Sequence, residues 1–107
     1  IAPRYVAGIA AADGLDLVAV ASRSPDRAAT LAARFGTQAC SREALIASPA
    51  VDIIVNLAAP LDHAAITHAA LKAGKHVYCE KPLAASVAEG AALLACADAM
   101  KRLLAVA

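Results

Sequence analysis

Aromatic side chains are nearly absent from this chain: two Tyr, one Phe and no Trp make up 3% of 107 residues. A hydrophobic content of 61% must therefore come mostly from alanine and aliphatic residues. That composition suits helices packed closely over a sheet and leaves few side-chain recognition signals. Long apolar runs are also missing. Asp, Arg or Lys recurs every few residues, so nothing approaches the roughly 20 apolar residues of a membrane span. No targeting segment is visible.

Charge of one sign is equally scarce. Ten Lys and Arg against nine Asp and Glu leave a formal net charge of +1. With no block of like charges, an electrostatic nucleic-acid surface is disfavoured, and small molecules become the expected partners. The three cysteines, Cys40, Cys79 and Cys96, form no CxxC pair and have no His at ligand spacing. They read as reduced, small hydrophobes of a cytoplasmic protein, with no metal site. A G-x-G-x-x-G phosphate-binding turn is lacking too. At this length one core is expected. The start at Ile1-Ala2-Pro3 and the apolar finish from Leu103 to Ala107 lead us to expect a piece of a larger protein.

What is present is an alternation of short apolar runs with longer Ala-rich stretches. Residues 3 to 12 predict a helix entered through Pro3 and ended by Asp13-Gly14. Leu15 to Ala21 (LDLVAVA) predicts a strand buried on both faces. Ser24-Pro25-Asp26 opens a helix that Gly36 closes. A short strand at Gln38 to Cys40 and a helix at Arg42 to Ala47 follow, stopped by Ser48-Pro49. Asp52 to Leu57 (DIIVNL) predicts a second buried strand. Asp62 to Ala73 has helical spacing, with Ile66, Ala69, Ala70 and Ala73 on one face and Gly74 as its stop. His76 to Cys79 predicts a third strand. Ser86 and Glu89 form a capping box for a helix reaching about Met100, and Leu103 to Ala107 predicts a last buried strand. This order is that of an α/β protein with a doubly wound parallel sheet.

Such sheets bind ligands beyond the carboxyl ends of their strands, which selects three loops. In the first, Ser22 and Arg23 end a strand with no carboxylate. An acid there would bind a ribose 2′-hydroxyl, whereas an arginine accommodates a 2′-phosphate. Ser24 and Arg27 add a donor and a second positive charge, so NADP is favoured over NAD. The alternative is that Arg23 is a solvated loop residue or stacks on an adenine face. The second loop holds Leu57, Ala58, Ala59, Pro60 and His63. In the third, Glu80 and Lys81 emerge together from the strand HVYC, and Pro82 fixes the turn. An ammonium group here could bind a ribose hydroxyl or a substrate oxygen. The tripeptide alone could equally be an ordinary strand exit.

Its neighbours decide the matter. The run AGKHVYCEKPLA, from Ala73 to Ala84, resembles the AGKHVxxEKPLA signature of the Gfo/Idh/MocA oxidoreductases, the family of glucose-fructose oxidoreductase and inositol dehydrogenase. The resemblance extends through VAVASRSPDRAATLAARFG (Val18 to Gly36) and VDIIVNLAAP (Val51 to Pro60). It implies a Rossmann domain that binds NAD or NADP, with Lys81 touching the nicotinamide ribose and the substrate. Glu80 would help hold the cofactor, Pro82 would shape the turn, and Ser22 and Arg23 would face the adenine ribose. The implied reaction is hydride transfer between NAD(P) and a sugar, polyol or related hydroxylated compound.

Two departures from the family pattern stand out. The usual Thr-Pro-Asn-x-x-His loop reads Ala58-Ala59-Pro60 before His63, so a side-chain amide contact is lost. His63 is then as much a candidate turn-former as a ligand contact. The second departure is that the first strand, its glycine-rich turn and the C-terminal substrate domain are not within these residues. We therefore expect residues 1–107 to be a partial nucleotide-binding domain, inactive alone, whose homo-oligomers would form through the other domain. A dinucleotide-sensing regulator or scaffold of the same fold is the alternative.

Overall fold

Helix and strand alternate from one end of the chain to the other in the computed structural model, which describes residues 1–107. The strands fall in two parallel sheets, one in each of two compact units, residues 1–50 and 51–107.

In the first unit, α1 (Ala2–Ala11) carries Pro3 in its opening turn. A two-residue strand, β1 (Ala19–Val20), pairs in parallel with β2 (Gln38–Ala39), placing Ala19 opposite Gln38 and Val20 opposite Ala39. Between them lies α2 (Pro25–Phe35). The Ser24 hydroxyl accepts the Arg27 N–H at 3.3 Å, satisfying one of the donors that a helix start leaves free. Gly36 ends this helix at φ +67°, a left-handed conformation that glycine reaches without Cβ strain. A short helix, α3 (Arg42–Ala47), begins with the Ser41 hydroxyl accepting the Ala44 N–H at 3.0 Å. Val6, Val20 and Ala32 form the core, with Leu17, Leu31 and Phe35 packed against it.

The second unit is a pair of consecutive strand–helix–strand crossovers. Its strands are β3 (Ile53–Asn56), β4 (His76–Cys79) and β5 (Leu104–Val106), parallel and in chain order. The connecting helices are α4 (His63–Lys72), entered through a 3-10 turn at Pro60–Asp62, and α5 (Val87–Met100). The α4 helix buries His63, Ile66, Thr67, Ala70 and Leu71. That i, i+3, i+4, i+7, i+8 stripe is the one a sheet-covering helix needs. Ser86 caps α5 by accepting the Glu89 N–H at 3.1 Å, while Glu89 Oε2 accepts from Ala85 at 3.3 Å, one residue ahead of the cap itself.

This is a Rossmann-like α/β fold with parallel sheets, the class expected from the sequence. Four details differ from that expectation. Of the run Leu15 to Ala21 only two residues are strand and only Val20 is buried, with Leu15 47% exposed. This run pairs with β2 alone, so most of it has no strand beside it. In β3, Ile54 and Asn56 are buried while Ile53 is 47% exposed, because α4 packs against the sheet and the side chains alternate. The last strand lies at a sheet edge, and Leu103 and Val106 are exposed. Finally, Ala69 and Ala73 lie outside the buried stripe of α4. Alanine occurs on every side of that helix, so it marks no face.

Candidate functional site

The three loops chosen from the sequence all follow carboxyl ends of parallel strands, where main-chain N–H groups and side chains emerge beyond the sheet. In the first unit, the turn after β1 is organised by its own serines. The Ser22 hydroxyl accepts the Ser24 N–H at 3.2 Å, and the Ser24 hydroxyl caps α2 as described. Both oxygens thus hold backbone, with exposed Arg23 just before the helix cap and exposed Arg27 in the first turn of α2. The same helix start carries two guanidinium groups and one carboxylate, that of exposed Asp26 in its first turn.

In the second unit the polar groups are tied from within. Asn56, buried at the end of β3, donates from Nδ2 to the His63 carbonyl and to Thr67 Oγ1, both at 3.1 Å. Its Oδ1 accepts the Ala58 N–H at 3.3 Å. One amide thereby fixes the exit of β3 to the first turn of α4. Leu57 and Ala58 are half-buried in that exit, and Ala59 and Pro60 are exposed.

His63 is 1% exposed, and both of its ring nitrogens meet main-chain carbonyls. Nδ1 lies 2.6 Å from the Pro82 oxygen and Nε2 lies 2.8 Å from the Ala58 oxygen. Each ring nitrogen thus faces the protein's own backbone. The ring brings together Ala58 and Pro82, which are distant in sequence.

Glu80 leaves β4 half-buried, its N–H donated to the Asn56 carbonyl at 3.0 Å in the parallel ladder. Lys81 and Pro82 follow, both exposed and joined by a cis peptide bond. Just before them, burial pushes the Cys79 thiol above its ordinary range. The Glu80 charge adds to this and the hydrogen bond with Thr67 opposes it. Cys79 thus stays a protonated, inert thiol at neutral pH. No group of three or more His, Cys, Asp and Glu side chains is placed to hold a metal ion, and no helix is long and apolar enough to cross a membrane.

Reasoning from sequence passed over Asn56 and Thr67. The available signal was a carboxamide inside an otherwise apolar strand, since a buried amide requires partners.

A family model described as "Oxidoreductase family, NAD-binding Rossmann fold" (GFO_IDH_MocA) matches residues 1–107. Inositol 2-dehydrogenase from Acidothermus cellulolyticus is 43% identical over 77 residues, 70% of this chain and 23% of that protein. The 1,5-anhydro-D-fructose reductase of Ensifer adhaerens is 40% identical over 86 residues, 78% of this chain and 26% of that protein. Among solved structures, biliverdin reductase from Synechocystis sp. PCC 6803, with biliverdin and NADP+, superposes with a TM-score of 0.91. It is 35% identical, covering 96% of this chain and 33% of that one. The chain spans about a quarter to a third of the length of these relatives.

Proposed function

We propose that this chain, which belongs to the Gfo/Idh/MocA family of oxidoreductases and matches its NAD-binding Rossmann part, holds the dinucleotide for an enzyme acting on a hydroxyl-bearing carbon. A sugar, a polyol or a related small compound is the substrate class. Two relatives support it by name, one a dehydrogenase of inositol and the other a reductase of an anhydrofructose. Residues 1–107 on their own would turn over nothing, since those relatives use a chain several times as long.

Bound NAD(P) supplies the hydride acceptor or donor. The chain's own residues do the rest. Lys81, exposed at the end of β4, places an ammonium group where it binds a ribose hydroxyl and the reacting oxygen, and it stabilises the negative charge that develops there. Glu80 helps hold the cofactor beside it, and Pro82 sets the turn. Leu57, Ala58, Ala59 and Pro60 offer backbone beneath the cofactor with little side chain in the way. Ser22, Arg23, Ser24 and Arg27 take the adenine ribose end. A guanidinium pair with no carboxylate at that strand tip favours NADP over NAD.

The observation that carries this reading is Lys81, exposed beyond a parallel strand within the family signature. In the full-length protein, Lys81→Ala should lower kcat about 100-fold or more while the dinucleotide Kd changes by less than about tenfold. Full turnover in that variant would sink the assignment.

A further inference from the structure

We propose that His63 is a positioning residue, whose imidazole clamps the loop leaving β3 to the loop leaving β4 and thereby fixes where Lys81 presents its ammonium group. This inference rests on the role assigned above to Lys81.

The ring is held from several sides. The His63 carbonyl accepts from Asn56, and Thr67, one helical turn on, accepts from the same amide. From that fixed base the ring reaches two carbonyls in opposite directions, Pro82 at 2.6 Å and Ala58 at 2.8 Å. The two contacts bridge five residues of chain one way and nineteen the other. The Pro82 carbonyl is the only polar main-chain group that residue has, because proline carries no N–H. A hydrogen bond to it therefore restrains the residue next to Lys81 directly.

Loops beyond sheet ends are ordinarily the mobile part of such a fold, and displacing a reacting group by about 1 Å can cost roughly 100-fold in rate. A rigid ring wedged between the two loops supplies the restraint: each nitrogen that carries a proton donates to the carbonyl it faces, one in the neutral ring and both in the protonated ring, and the ring packs against both carbonyls in either form. An apolar side chain of similar size would fill the same space without supplying it.

The test uses the full-length enzyme with two variants, His63→Phe and His63→Gln, each also made in the Lys81→Ala background. With His63→Phe, kcat should fall about tenfold or more while the dinucleotide Kd stays within about threefold. His63→Gln, which keeps an amide N–H for one carbonyl, should recover part of that loss. Neither should lower kcat further once Lys81 is gone, because a clamp acting through Lys81 has nothing left to position. Unchanged kcat in a folded His63→Phe protein, or an additive loss in the double variant, would overturn the clamp. If His63→Phe does not fold, the same outcomes are read from His63→Gln.

One readout needs no variant: a His63 ring N–H in the parent protein should resist exchange with water in NMR spectra, and rapid exchange would overturn the proposal. Full turnover in Lys81→Ala alone is a separate result. It removes the reading of Lys81 and with it the catalytic purpose of the clamp, whatever His63 does.

Discussion

Asn56 occupies a position in β3 where every neighbour in the strand is aliphatic, and its carboxamide makes three hydrogen bonds to α4 and to the strand exit. Replacing it by Leu keeps the branched shape with somewhat more volume but removes the partner of the Ala58 N–H and the bonds to α4. Leaving buried polar groups unpaired costs about 1–3 kcal/mol, so Asn56→Leu should lower the unfolding free energy of the intact protein by about 2 kcal/mol in urea titrations. A change under about 0.5 kcal/mol would show that water replaces the amide. This residue illustrates where the sequence stopped being readable. Arg23, Glu80 and Lys81 stood out because charge follows an apolar run abruptly, and such charge has few places to go but the surface beyond a strand. Asn56 and Thr67 carry no charge, and their partners lie 7 and 11 residues away or on another element. Nothing local announces such pairs. His63 was noticed, but whether its ring faced a ligand or a carbonyl depended on Pro82, 19 residues on.

At the level of elements, local chemistry was the better guide. Ser24 and Ser86, the caps expected from the sequence, each cap the helix that follows them, and Gly36 closes α2. A cap is a contact within a few residues, so its signal lies wholly in the sequence. One helix end departs from the rule. Lys101 ends α5 in the left-handed region at φ +54°, where a side chain with a Cβ is disfavoured by about 1–2 kcal/mol. Lys101→Gly should therefore stabilise the intact protein by about 0.5–1 kcal/mol, seen as a raised Tm with activity unchanged. A lowered Tm would mean that the Lys101 side chain contributes more than the backbone strain removes. Strand limits were read less well than helix limits. The run Leu15 to Ala21 predicts burial on both faces and Leu103 to Ala107 a buried strand, yet a strand's burial is set by what pairs and packs beside it, which an apolar run does not specify.

For the whole molecule, the near-neutral charge leaves no broad electrostatic field, so the proposed dinucleotide would be held by a few placed groups. A ligand that binds only the native state stabilises it by mass action, by about 2.7 kcal/mol at 100 times its Kd. In the intact protein, NADP should thus raise Tm more than NAD does at equal concentration, and Arg23→Ala should abolish most of that difference. A larger shift with NAD would overturn the reading of Arg23. The sequence by itself determined the class of fold, the ends of most helices and the Gfo/Idh/MocA signature around Lys81. These depend on residue type and on neighbours within a turn or two. Only the tertiary structure decided which face of α4 is buried, how far each strand is covered, and that His63 joins Ala58 to Pro82. Those are contacts between segments far apart in the chain, and a buried ring takes whichever partners the folded backbone brings within reach.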